Sequence, residues 1–170
     1  MWTMLLRKIE NLMTKAEEYI VALLLFVLTM AIFVSVLERF VFHFGITWIE
    51  EFARYLSVWA AFIGSALAVT KGAHIGIEAF VQILPEPIRK IEDLAVNLVG
   101  MAFAITVTVI GTKFLFKLSS TGQLSPALGI PISWAYAAVP VGCGLMALHY
   151  FFKFVLGISE ICKNGKEAVE

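Results

Sequence analysis

The sequence predicts an all-α integral membrane protein: four transmembrane helices, an N-terminal amphipathic interfacial helix, and a short surface helix between spans two and three. Three observations lead there. Of 170 residues, 60% are hydrophobic and only 15% charged, whereas soluble domains run at roughly 45–50% and about 25%. Mean hydropathy is +0.88. The charges stand between long uncharged runs close to the 20 residues or so that a helix needs to cross hydrocarbon, where backbone groups find no outside partner.

The elements follow in order. Residues 1–17 keep Trp2, Leu5, Leu6, Ile9, Leu12, Met13 and Ala16 at helical spacing, with Arg7, Lys8, Asn11, Lys15 and Glu18 on the other face. This pattern predicts an interfacial helix lying on the membrane. Tyr19 to Leu37 is uncharged and predicts a first span over about 19–38. A second span over about 48–70 opens on Glu50, Glu51 and Arg54, which belong near the headgroups. Ile77, Phe80, Val81 and Leu84 beside Glu78 and Gln82 predict the short surface helix, and Pro87 suits the first turn of the helix leading into a third span over about 94–113. The last uncharged run extends from Leu118 to Phe152, but Ser119, Ser120, Gly122, Ser125, Pro126, Gly129 and Pro131 spoil its first part, so the fourth span is expected over about 131–156. Pro140, with Gly142 and Gly144, should kink it. With no internal repeat, residues 1–170 read as a single membrane domain.

Lysine and arginine set the expected orientation. The two termini and the second connection together hold Arg7, Lys8, Lys15, Lys71, Arg89, Lys90, Lys153, Lys163 and Lys166, against Arg39, Arg54, Lys113 and Lys117 on the other side. Nine against four puts both termini in the cytoplasm. The charged start and the length of the first apolar run argue against a cleaved signal peptide.

Several functions are excluded. Thirteen Lys plus Arg balance thirteen Asp plus Glu, without the basic excess a nucleic-acid binder needs. Cys143 and Cys162 lack the spacing of a metal or redox pair. No nucleophile elbow, H-E-x-x-H or phosphate loop occurs, so no enzyme is expected. Carriers bring polar groups to the bilayer midplane, whereas the span middles here hold residues such as Thr29, Ser35, Ser57, Ser65, Thr106 and Thr108. What the spans offer instead is small-residue ridges: Ala60, Gly64 and Ala68; Gly100 and Ala104; Ala138 and Gly142.

The densest polar cluster is on the outer side, where Glu38 and Arg39 close the first span and Trp48, Glu50, Glu51 and Arg54 open the second. Thr47 and Glu50 have capping-box spacing, and either carboxylate can pair with Arg54 one turn on. A capped and paired helix start is one reading and a partner contact the other. Two further readings remain open at this point. His74 and His149 could serve a haem- or quinone-associated membrane anchor of a respiratory complex, although their depths match poorly. Otherwise His149 makes a helix-packing hydrogen bond and His74 sits at the interface. A self-assembling channel is the second.

The order of motifs resembles the small membrane subunit, the DctQ-like small permease, of tripartite ATP-independent periplasmic (TRAP) transporters. The matching residues are Glu38-Arg39; Trp48, Glu50, Glu51 and Arg54; Trp59 with Phe62 and Gly64; Gly72 with His74-Ile75; and Leu128-Gly129-Ile130-Pro131 ahead of Trp134 and Pro140. They cover roughly Ala16 to Phe152. The resemblance implies a scaffold without cofactor in the bacterial inner membrane. Its partners would be a large elevator-type membrane subunit on a separate chain, carrying the sodium and substrate sites, and a periplasmic substrate-binding protein delivering a C4-dicarboxylate or a sialic-acid-like acid. By the same analogy Glu38, Arg39, Trp48, Glu50, Glu51, Arg54, Trp59, His74 and Trp134 are candidate contacts with the large subunit or the binding protein.

Overall fold

A computed structural model describes residues 2–42, 45–71 and 86–167. Helix α1 (Trp2–Leu37) runs for 36 residues, about 54 Å at 1.5 Å per residue. No glycine or proline interrupts this stretch, so the amphipathic N-terminal segment does not stand as a separate interfacial helix; it continues unbroken into the first span. A π-helical turn (Glu38–Phe42) closes α1, and α2 (Thr47–Thr70) returns. The surface helix expected over residues 77–84 lies outside the described residues. Helix α3 (Glu86–Ser120) begins one residue before Pro87, whose missing N–H costs nothing in a first turn.

The fourth span comes in two pieces, α4 (Ser133–Tyr136) and α5 (Ala138–Glu167). Pro140 has no N–H to offer the Tyr136 carbonyl, and its ring crowds that position. The helix therefore breaks at Ala137, and regular bonding resumes when Val141 N–H donates to Ala137 O at 3.2 Å. Among the described residues four segments are long and apolar enough to cross a membrane: Leu6–Val41, Thr47–Thr70, Asp93–Ser120 and Ser133–Ile158.

The helices pack in a row. Helix α1 lies on α2, α2 on α5, and α5 on α3, leaving α1 and α3 as the two edges. No residue in the apolar stretch of α1 is fully buried, and the face turned away from α2 is exposed, as expected of a helix that meets lipid or a neighbouring subunit. The core sits on the inner pair: Ala60, Ile63, Ala66 and Val69, three residues apart, line one face of α2, and Ala138, Cys143 and Phe152 lie on α5.

Two of the three small-residue ridges carry the packing. A Cβ at Gly142 would stand 2.6 Å from the Phe62 Cβ and 2.9 Å from its backbone carbonyl, and a Cβ at Gly100 would enter the Tyr150 ring. Of the Ala60–Gly64–Ala68 ridge on α2 only Ala60 is buried, and a Cβ at Gly64 would meet nothing within 4 Å. Opposite signs follow. Gly142→Ala should destabilise the isolated chain by about 1–3 kcal/mol, since α2 and α5 must move apart, while Gly64→Ala should be neutral or gain up to about 1 kcal/mol from helix propensity. Melting in detergent micelles separates the two; equal effects would show that the close approach at Phe62 is not what sets helix spacing.

Candidate functional site

Polar side chains gather at the two ends of the row. At one end the α1–α2 connection meets the segment joining α3 to α4. Helix α3 stops at Ser120, where Thr121 N–H and Gly122 N–H donate back to Leu118 O and Ser119 O. Gly122 and Gly129 take φ of +63° and +66°, a conformation that glycine reaches without a steric cost. From Gln123 to Ile132 the chain folds into a small hairpin. Leu124 pairs antiparallel with Pro131, Ser125 N–H donates to Ile130 O at 2.8 Å, Ile132 N–H to Gln123 O at 3.0 Å, and Gly129 N–H to Ser125 O at 3.0 Å.

Glu51 clamps this hairpin onto α2. It is only 9% exposed. One carboxylate oxygen accepts the N–H groups of Ala127 (2.8 Å) and Leu128 (3.2 Å), and the other accepts the Tyr55 hydroxyl at 2.5 Å. Charge-assisted bonds of this kind are about twice as strong as neutral ones. Ser125 is buried beside them, and its hydroxyl oxygen accepts Leu128 N–H at 3.2 Å. Two turns along α2, the Trp59 indole N–H donates to the Trp134 carbonyl at 3.1 Å, a second tie between α2 and the start of α4.

Two sequence expectations at this end are corrected. The Thr47–Glu50 capping box does not form: the cap position is Ile46, without a side-chain bond, and Thr47 is already helical. A capping hydroxyl must stand one residue before the helix. Nor does Glu51 pair with Arg54, because loop N–H groups and Tyr55 take up its oxygens; among the described residues Arg54 forms no ion pair with Glu50 either. Arg39 and Glu50 instead line, with Ser35, Gly45 and Ile46, a cleft of about 330 Å³. Glu38 begins the π-helical turn. Trp48 and Trp134 are exposed. His74 lies outside the described residues. The structure thus makes two separate ties from α2 to the segment between α3 and α4, one through Glu51 and one from the Trp59 indole to the Trp134 carbonyl, with Trp48 and Arg54 exposed.

At the opposite end a pair absent from the sequence expectations ties α1 to α5. Glu17, 3% exposed, holds the fully buried His149 through Nε2, at 2.8 Å and 3.0 Å from its two carboxylate oxygens. The other ring nitrogen, Nδ1, is buried with no hydrogen-bond partner. Nearby in sequence, Lys71 pairs with Glu18 at 2.8 Å on the surface. The signal was present: Glu17 opens the first span and His149 lies about two turns from the end of the fourth, so antiparallel helices bring them to one depth.

Between the two ends the helices offer little chemistry. The hydroxyls of Thr29, Ser57, Ser65, Thr106 and Thr108 each donate to a carbonyl three or four residues back in their own helix, which satisfies these five donors locally. Among the described residues no group of three or more His, Cys, Asp or Glu is placed to hold a metal ion.

Comparison with known proteins identifies the architecture. Residues 28–160 match the family of tripartite ATP-independent periplasmic transporters, DctQ component. The chain belongs to this DctQ family. Among its relatives, an assigned TRAP transporter small permease protein of Haemophilus influenzae is 32% identical over 94% of this chain and 93% of its own length. The C4-dicarboxylate TRAP transporter small permease protein DctQ of Rhodobacter capsulatus is 27% identical over 82% of this chain and 75% of its length. The sialic acid TRAP transporter permease protein SiaT of Haemophilus influenzae is 28% identical over 89% of this chain, which covers 24% of that longer protein.

As a DctQ component the chain is a TRAP small permease subunit, a multi-pass membrane protein and a transport component rather than an enzyme. The respiratory-anchor alternative falls with that assignment. It also loses its ligand in the fold, because the Nε2 atom of His149 is held by Glu17.

Proposed function

We propose that this DctQ component is the fixed scaffold of its transporter. It braces a large elevator-type membrane subunit, on a separate chain, during sodium-coupled uptake of an organic acid delivered by a periplasmic binding protein. The observation that carries the reading is the state of the span interiors: among the described residues the hydroxyls of Thr29, Ser65, Thr106 and Thr108 are satisfied within their own helices, and no group of three or more His, Cys, Asp or Glu gathers there. A row of helices with two open edges supports the same role, because it offers broad lateral surface to a membrane partner.

In this reading the hairpin and the outer cluster face the periplasm and both termini lie in the cytoplasm of a bacterial inner membrane, in keeping with the nine-to-four distribution of Lys and Arg. Relatives named for C4-dicarboxylate, sialic acid and ectoine transport share this chain's features at 25–28% identity. Substrate choice therefore belongs to the other subunits.

Reconstitution in vesicles tests the proposal. The chain alone should take up no labelled C4-dicarboxylate or sialic acid under an inward sodium gradient, and uptake by the three-component system should fall at least about tenfold when the chain is left out. Uptake by the chain alone, or full uptake without it, would sink the scaffold reading.

A further inference from the structure

The hairpin carries a face that its own bonds leave unused. From Leu118 to Phe152 the chain has no charged residue, so the hairpin is neutral, whereas the rest of this end carries Arg39, Glu50 and Arg54 on one side and Lys113 and Lys117 on α3. Leu124 and Pro131 are directly paired across the antiparallel bridge, so they share one face, and Ser125, next along the strand, turns the other way onto Glu51. Leu124 is 59% exposed and Trp134 66%. Beside them Trp134 and Phe116 wall an apolar cleft of about 280 Å³ between α3 and α4.

We infer that the Leu124–Pro131 face of the hairpin, together with the Trp134 cleft, is a docking surface for the large membrane subunit. The inference rests on the scaffold reading above and names where the brace is made. Three features select this occupant. A soluble partner arriving through water is steered by charge and finds charge only on the surrounding rim, so a neutral apolar face calls for a neighbour that is itself apolar. The cost of covering the hairpin is lowered because the N–H groups of Ser125, Ala127, Leu128, Gly129 and Ile132 already have acceptors within the hairpin or on Glu51. Finally, the backbone is held rigid. Lipid chains adapt to any profile and gain nothing from a fixed loop, whereas a folded neighbour binds more tightly when the ordering cost has been met during folding.

The test uses the chain co-expressed with its large subunit and extracted in mild detergent. Leu124→Glu should reduce the large subunit recovered on the tagged small subunit by about tenfold, the loss expected on burying a charge at a central apolar contact, while the melting temperature of the isolated chain stays unchanged because Leu124 is exposed. A benzoylphenylalanine photo-crosslinker at position 124 should give an adduct with the large subunit. Undiminished recovery with Leu124→Glu would overturn the inference, as would a crosslink to the binding protein, to a second copy or to lipid alone. If the unmodified chain retains no large subunit, the scaffold reading itself falls and takes this surface with it.

Discussion

Glu51→Ala should release the hairpin from α2 without unfolding the helices. The Ala127 N–H and the Tyr55 hydroxyl then lose their acceptor, and the Leu128 N–H keeps only the Ser125 oxygen. In hydrogen-exchange measurements on the micelle-bound chain, these two amides should exchange about a hundredfold faster, while amides in the buried face of α2 and in α5 keep their protection. Glu51→Gln should fall between, because its amide keeps one acceptor oxygen and turns the other arm into a donor. Arg54→Ala is the contrasting variant: Arg54 is exposed and lacks an ion pair with either neighbouring carboxylate, so the isolated chain should keep its melting temperature and its hairpin protection. Unaltered exchange at Ala127 and Leu128 in Glu51→Ala would show that the carboxylate does not hold the loop.

The second large effect lies at the other end. His149→Ala should destabilise the chain by about 3 kcal/mol, since it strips a buried carboxylate of the imidazole that bonds both its oxygens. Glu17→Ala should cost less, about 1–3 kcal/mol, because the group left behind is an imidazole. The informative variant is the double replacement Glu17→Leu with His149→Leu. It removes both polar groups from a buried site, so its cost should be well below the sum of the single ones. Reversible denaturation in mixed micelles measures all three; strict additivity would mean that the two residues do not act as a pair.

Much of this protein is legible residue by residue. An uncharged run such as Tyr19–Leu37 has one stable solution in hydrocarbon, and Pro140 must interrupt the helix that contains it, so spans and kink follow from local chemistry. The ridges at Gly100 and Gly142 were also visible, although Gly64, with the same spacing, faces open space. The candidate site was legible only in part. Glu51, Trp59 and Trp134 stood out by type and position, yet the proximity rule assigned Glu51 to Arg54, three residues away. Its partners are Tyr55, one turn on, and Ala127 and Leu128, more than seventy residues on. The sequence predicts a helix-packing hydrogen bond for His149, but its partner Glu17 is 132 residues away and no local pattern points to it.

The sequence by itself therefore determined a four-span membrane protein, the ordered motifs of the DctQ family and the lack of chemistry in the span middles. Composition, periodicity and helix breakers act within one turn or one span, and each can be read where it stands. Only the tertiary structure decided the order of helices in the row, the clamp of Glu51 on the hairpin and the pairing of Glu17 with His149. A carboxylate is satisfied by whichever donors folding brings within 3 Å, and no local pattern says which of several equally spaced donors those will be.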